Sequence, residues 1–166
     1  DSIFVGEAPL LESASQSDSD RIVFVFPGQG AQYIGMARGL RECEPVFREH
    51  FDACATAFNA EMGFDLRAEI FDGTGRNLER TDRAQPALFA VEYALAKLAE
   101  SYGVRPGALA GHSIGEWVAA TLAGVFDLPT AVKAVSMRAR LMHASARGVM
   151  VAVALGPDAI AEHLGG

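Results

Sequence analysis

Apolar positions in this chain fall into short unbroken runs separated by longer stretches with helical spacing. Ile22-Val23-Phe24-Val25-Phe26 is a continuous apolar run, the pattern of a strand covered on both faces as in parallel sheets. It stops at Pro27-Gly28-Gln29-Gly30, a turn signal. Pro45 is expected to open a helix reaching about Phe58, and residues 63–83 read as turn-rich and less regular. Pro86 is expected to start a strong helix, with Leu88, Val91, Leu95 and Leu98 recurring every three or four residues and Gly103 as its stop. Ala108-Leu109-Ala110-Gly111-His112 reads as a second short strand, feeding a helix through Ser113 that Gly124 closes. Asp127 and Pro129 mark another helix start, Val149–Leu155 a further strand, and Pro157-Asp158 a short helical stretch. Strands alternate with helices and no repeat is visible, so the fold class is α/β with a largely parallel sheet. The polar stretch Leu11–Asp20 reads as part of a linker over residues 1–20, with the ordered domain beginning at Arg21.

Composition narrows the function. A chain of 166 residues supports one domain with a real core. Lys and Arg number 14 against 21 Asp and Glu, a net charge of −7, so there is no basic surplus to neutralise phosphates and no nucleic-acid partner is expected. Half the residues are apolar, yet no run approaches the length of a membrane span, and residues 1–20 show no signal-peptide pattern. The expected setting is cytoplasmic, away from membranes. Cys43 and Cys54 form no CxxC motif. His50 and Cys54 share a helix face, but two ligands do not make a metal site, so both cysteines read as reduced packing residues and no metal is expected.

The sharpest local feature is Gly111-His112-Ser113-Ile114-Gly115, a G-x-S-x-G pattern between an expected strand and an expected helix. Such an elbow needs small neighbours, which Gly111 and Gly115 supply. It exposes the serine oxygen at the C-terminal edge of the sheet, and the free amide of Ile114 at the helix entry can face a developing oxyanion. A purely structural serine in a tight turn is the competing reading. His112 adjoins Ser113, but consecutive side chains in an elbow diverge, so it reads as a packing residue. Glu116 reads as a first-turn carboxylate complementing the helix dipole.

Four ordered stretches together carry a resemblance: Phe24-Val25-Phe26-Pro27-Gly28-Gln29-Gly30-Ala31-Gln32, Gln85-Pro86-Ala87-Leu88-Phe89-Ala90-Val91-Glu92, Gly111-His112-Ser113-Ile114-Gly115-Glu116 and Met137-Arg138-Ala139-Arg140-Leu141-Met142. From about Arg21 onward the chain resembles malonyl-CoA:acyl-carrier-protein transacylases and the acyltransferase domains of polyketide and fatty acid synthases. The resemblance implies a parallel-sheet, hydrolase-like core over residues 21–147, with 148–166 as the start of a ferredoxin-like small subdomain. It implies that Ser113 takes an acyl group from coenzyme A and that the backbone amides of Gln29 and Ile114 form the oxyanion hole. It further implies that Arg138 holds the free carboxylate of a malonyl-type extender and that Gln85 lies near the site, helix N-capping being the competing role for Gln85. No bound cofactor is implied. The coenzyme A thioester is the substrate, and the phosphopantetheine of an acyl carrier protein is the acceptor. An aliphatic residue at Ile114 is similar to malonyl-preferring members, while Trp117 is larger than the residue more often found there.

Spacing lends Arg138 separate support. At about 100° per residue, Val132, Val135, Ala139 and Met142 define one apolar arc, Lys133, Arg140 and Arg147 lie opposite, and Arg138 falls beside the arc. An arginine there needs an anion, whether a bound carboxylate or a structural salt-bridge partner.

The resemblance also implies a catalytic histidine beyond Gly166. None of His50, His112, His143 and His163 carries a matching motif. The chain is therefore expected to be the N-terminal part of an acyltransferase domain in a polyketide synthase of secondary-metabolite biosynthesis. The C-terminal remainder of that domain, a neighbouring ketosynthase domain and an acyl carrier protein are its expected partners, and the chain is expected to be incompetent alone. Two other readings stay open: a serine hydrolase of patatin or lipase type, and a non-catalytic module that docks a carrier protein.

Overall fold

The computed structural model describes residues 5–7, 22–72 and 77–146, and the single positions 148, 154, 156 and 160. Three strands form one sheet in the order β1-β3-β2: β1 (Val5–Glu7), β2 (Val23–Phe26) and β3 (Ala108–Gly111). β2 and β3 run parallel, with Val23 opposite Ala108 and Phe26 opposite Gly111, while β1 pairs antiparallel to β3. The parallel pair was legible in the apolar runs. The strand Val5–Glu7, however, lies inside the linker expected over residues 1–20, because β3 offers it a second edge to pair with.

Coverage of β2 on both faces is not what the structure shows. Phe24 and Phe26 face the core, whereas Val23 and Val25 are 52% and 73% exposed. Among the described residues, β3 is the only neighbour of β2 and its other edge is free.

Six helices among the described residues build the rest: α1 (Arg38–Cys43), α2 (Pro45–Met62), α3 (Leu66–Phe71), α4 (Thr81–Ser101), α5 (Ile114–Leu122) and α6 (Leu128–Ala144). Pro45 occupies the first position of α2, where its missing N–H costs nothing, and Gly63 ends the helix in the left-handed region at φ 75°. The irregular stretch expected over residues 63–83 contains α3, whose N-cap Asp65 accepts the Arg67 amide at 2.9 Å.

Pro86 does not start α4, which begins at Thr81. Proline inside a helix leaves the carbonyl four residues earlier without its donor. Here that carbonyl belongs to Asp82, and the Arg83 guanidinium sits 3.5 Å from it. Asp127 caps α6 by accepting the Thr130 amide at 2.8 Å.

The core sits between α2, α4 and α6. Phe47, Phe51, Phe58, Phe89 and Val135 are fully buried, and Phe89 packs edge-on against Phe58 and stacks on Tyr93. Ion pairs tie the periphery: Asp52 receives Arg41 and Arg67, and Asp82 receives Arg80 and Arg83. No helix of the described residues is long and apolar enough to cross a membrane. The strand and helix expected from Val149 onward lie outside the described residues, apart from the single positions named above.

Candidate active site

β3 turns into α5 through Ser113, which sits at φ 57°, ψ −112°, a backbone conformation that a non-glycine residue adopts only where its surroundings force it. The surroundings here are backbone against backbone. A Cβ on Gly111 would run into the main chain of Gly115 and Glu116, and a Cβ on Gly115 would run into the carbonyl of Phe26. The two elbow glycines let α5 pack directly onto the ends of β3 and β2.

Ser113-Ile114-Gly115-Glu116 has the serine-to-glutamate spacing of a helix capping box. Ser113 nonetheless makes no side-chain cap bond. The positive φ turns its hydroxyl away from the helix it precedes, leaving Oγ available for another partner. The amides of Gly115 and Glu116 bond to the carbonyls of His112 and Ser113 at 3.0 and 3.2 Å. The Ile114 amide, first in α5, has no such carbonyl among the described residues.

The Pro27–Gly30 turn stands directly over this elbow. The His112 amide donates to the Phe26 carbonyl at 3.0 Å, and the His112 ring packs against Gly28 so closely that a Cβ there would lie 2.5 Å from Nδ1. Gly30, at φ 127°, gives its amide to the Gln32 side chain at 2.8 Å. Gln29 reaches Thr81 Oγ1 with its own side chain at 3.4 Å, which ties the turn to the start of α4. His112 therefore packs, as its sequence position suggests, and what it packs against is the turn carrying Gln29.

From the other side, α6 brings Arg138 to the elbow. Its Nη2 donates to Ser113 Oγ at 2.9 Å, while Nη1 is buried with no hydrogen-bond partner among the described residues. Burial holds the guanidinium below its ordinary pKa, and the negative charge of Glu116 works in the opposite direction. Glu116 thus faces Arg138 electrostatically besides entering the first turn of α5. Its position one helical turn after Ser113 is the signal that could have shown this.

The apolar arc read for α6 is correct at Val132, Val135 and Ala139, all buried, and wrong at Met142, which is 48% exposed. Met142 lies in the last turn, beyond the closest packing, where its Sδ receives Gln85 Nε2 at 3.3 Å. Gln85 itself is buried inside α4, not at its N-cap, so helix capping is not its role. Its Oε1 has no partner among the described residues.

Other candidates lie elsewhere. His50 packs edge-on against Tyr93, and His143 approaches Asp82 at 3.7 Å. His163 is outside the described residues. Arg138 is the hydrogen-bond partner of Ser113 Oγ among the described residues, and no imidazole reaches it. Burial pushes the Cys54 thiol up to about 12, whereas Cys43 is exposed, and neither is in a disulfide. No group of three or more metal-ligating side chains occurs among the described residues. Trp117 stacks on Phe126 with centroids 5.5 Å apart.

The arrangement unites a strained serine at a helix entry, the Ile114 amide that follows it, and a half-buried guanidinium whose Nη1 has no partner among the described residues. Such a site can accept an acyl group on oxygen, hold the charge of a tetrahedral intermediate and grip a carboxylate on the acyl chain. Among the described residues, no imidazole or carboxylate hydrogen-bonds to Ser113 Oγ.

Comparison with known proteins agrees with this geometry. The family described as "Acyl transferase domain" matches residues 23–164. Over 99% of its length the chain is 62% identical to a phenolphthiocerol/phthiocerol polyketide synthase component of Mycobacterium tuberculosis, of which it spans 11%. The acyl transferase domain of ZmaA superimposes with a TM-score of 0.82 at 35% identity, covering 92% of this chain and 36% of that one. A malonyl-transacylase solved in complex with a type II polyketide synthase acyl carrier protein gives 0.65 at 36% identity, with coverage of 72% and 38%. With the elbow, the Gln29 turn and the Arg138 helix all inside the matched region, the chain belongs to the acyl transferase domain family.

Proposed function

We propose that the chain is the N-terminal part of a polyketide synthase acyltransferase domain. That domain would carry a malonyl-type extender from coenzyme A to the phosphopantetheine thiol of an acyl carrier protein. The observation that carries the proposal is the pairing of Ser113 Oγ with Arg138 Nη2 at 2.9 Å, with Nη1 buried and unpartnered beside it. A half-buried guanidinium whose Nη1 has no hydrogen-bond partner is a receptor for a carboxylate that arrives with the substrate. A hydrolase of simple esters gains nothing from such a residue next to its nucleophile, which favours the transferase over the lipase-type reading.

In the first half-reaction a histidine from outside the described residues takes the proton of Ser113 as Oγ attacks the thioester carbonyl. The Gln29 and Ile114 amides hold the oxyanion, and the C–S bond breaks. The coenzyme A thiolate then leaves with the proton, and a malonyl-serine ester remains. In the second, the same base deprotonates the pantetheine thiol, which attacks the ester and restores Ser113. Arg138 holds the malonyl carboxylate throughout. Ile114 supports malonyl over methylmalonyl, and Gln85, buried against Met142, helps to shape the pocket around the acyl chain. No cofactor takes part.

The same reading assigns residues 148–166 to the start of a ferredoxin-like subdomain and a linker role to the part of residues 1–20 outside β1. It places a ketosynthase domain alongside and the whole in the cytoplasm. The test is intact-protein mass after brief exposure to malonyl-CoA, with the rest of the domain supplied from a longer relative. A malonyl adduct on wild type and none on Ser113→Ala is the expected result. An adduct that survives Ser113→Ala, or no adduct from a folded and completed domain, would overturn the assignment and leave the carrier-docking reading in its place.

A further inference from the structure

The first two turns of α4 reach both segments that flank the elbow. The Thr81 hydroxyl receives the Gln29 side chain at 3.4 Å, and one turn later Gln85 donates to Met142 Sδ in the last turn of α6 at 3.3 Å. Between them in sequence lies Asp82, only 8% exposed. Arg80 grips its carboxylate with Nε at 3.0 Å and Nη2 at 2.8 Å, and Arg83 adds Nη1 at 3.1 Å. The Arg83 guanidinium in turn lies 3.8 Å from the centre of the Phe64 ring and 3.6 Å from Glu69. A further partner comes from α6: His143 Nδ1 stands 3.7 Å from Asp82 Oδ1.

Burial by itself raises the Asp82 pKa, but Arg80, Arg83 and His143 outweigh it and hold the group below its ordinary 3.8. A carboxylate held by both of its near neighbours in sequence is a fixed point against which a helix end can be located. His143 follows Arg138 by five residues on α6, about 7.5 Å along the axis. Over so short a length a helix moves as one body, so a hold on His143 limits how far the helix can turn or slide at Arg138.

We propose that Asp82 and His143 form a latch that sets the position of Arg138 against Ser113, which makes both of them positioning residues for gripping the acyl carboxylate. Neither touches a reacting group. The proposal rests on reading Arg138 as the receptor of that carboxylate. Arg80 and Arg83 keep Asp82 paired when His143 is removed, so His143→Ala strands no buried charge and the fold is expected to survive it.

The test is single-turnover acylation from malonyl-CoA and from acetyl-CoA, read by intact-protein mass, with the rest of the domain supplied from a longer relative. Wild type, His143→Ala, His143→Gln, Asp82→Asn, the Asp82→Asn/His143→Ala double variant and Arg138→Ala are compared, and circular dichroism confirms that each is folded. His143→Ala should slow malonyl acylation by about two- to fivefold, the range of a partly exposed ion pair, and leave acetyl acylation near the wild-type rate. His143→Gln keeps a donor for Asp82 and should restore most of the malonyl rate. Asp82→Asn should lower the malonyl-to-acetyl ratio as well, and the double variant should lower it no further than the more affected single variant. A pair that served the fold alone would lower the thermal midpoint and leave the ratio at its wild-type value, which would overturn the proposal. If Arg138→Ala shifts the ratio and His143→Ala does not, the latch falls alone. If Arg138→Ala leaves the ratio unchanged, the carboxylate reading of Arg138 falls and the latch with it.

Discussion

Two ends of the same short sheet behave in opposite ways. At the C-terminal end of β2 and β3 the backbone is packed to the limit. Gly111 and Gly115 leave no room for a methyl group, His112 fills the space over Gly28, and Ser113 is held in a strained conformation by its neighbours. Along the outer edge of β2 the packing stops, with Val25 73% exposed and Glu92 buried without a partner. The difference separates a region whose packing is complete among the described residues from one whose packing is not. Ser113 and Arg138 are positioned by contacts internal to residues 22–146, whereas the groove beside β2 is lined by exposed apolar side chains and by a buried Glu92 without a partner among the described residues.

The sharpest way to break the comparison is at the closed end. Gly115→Ala puts a Cβ into the Phe26 carbonyl, and Gly111→Ala puts one into the α5 backbone. Neither obstacle is a flexible side chain that can swing aside. Each substitution is expected to cost about 3 kcal/mol or more in denaturant-unfolding experiments. Gly63→Ala serves as the control. It has open space around it and a positive φ alone, so about 1 kcal/mol is expected. Equal costs at all three positions would mean that the elbow is no tighter than an ordinary helix end.

At the open end the expected effect is spread over pH. Burial pushes the Glu92 carboxyl up to about 8, from an ordinary value of 4.5. The folded chain therefore holds a proton that the unfolded chain has lost. Stability from this group is fully present below pH 4.5 and is lost as pH rises through 8, at about 1.4 kcal/mol per pH unit between them. The quantity to measure is the difference between wild type and Glu92→Gln in urea-unfolding series. A difference independent of pH between 5 and 8 would show that Glu92 has found a donor within the chain itself.

Much of the closed end could be read from residue order, because its constraints are local. G-x-S-x-G between an apolar run and a helical pattern specifies an elbow, and Asp127 before Pro129 specifies a helix start. The open end could not. A continuous apolar run such as Ile22–Phe26 states that both faces of a strand want cover, without stating whether the same chain provides it. Glu92 closes one of the four family-like stretches and gave no signal, since a glutamate every few residues on a helix is ordinary. Only the structure shows it buried. The start of α4 was misplaced for a related reason: Pro86 is normally a boundary, and a contact to the Asp82 carbonyl from Arg83 makes it an interior residue. Arg138 was found by its angle on the helix. Met142 was misjudged by the same arithmetic, because angle alone does not show where a helix end leaves the core.

Arg138 sharpens the comparison from the chemical side. Its Nη1, like the two carboxylate oxygens of Glu92, is buried without a hydrogen-bond partner among the described residues. A charge-assisted hydrogen bond contributes about 1.5–3 kcal/mol. In the completed domain, Arg138→Ala is accordingly expected to slow malonyl transfer by roughly 10- to 100-fold. Acetyl transfer, which offers no carboxylate, should be unchanged or improved. Parallel loss of both substrates in single-turnover acylation would mean that Arg138 acts only by holding the Ser113 hydroxyl.

The smallest expected effect comes from a third carboxylate that has what Glu92 lacks. Asp52 on α2 is partly buried, which by itself raises its pKa. The guanidiniums of Arg41 at 3.1 Å and Arg67 at 2.8 Å outweigh that and hold the group below the ordinary 3.8. Because the folded pKa is depressed, Asp52 contributes stability that is fully present above the unfolded value and is lost as pH falls through the folded one. Asp52→Asn should therefore cost about 1 kcal/mol at pH 7, a modest figure because all three side chains remain in reach of water. The cost should fade as pH is lowered below 3.8, the region where Glu92→Gln ought to matter least. Two carboxylates on neighbouring helices would then respond to acid in opposite senses, with the sign set by whether a cation already lies within hydrogen-bond distance. If Asp52→Asn proved as costly at pH 3 as at pH 7, the network would be holding α1 and α3 to α2 through shape and hydrogen bonding, with charge contributing little.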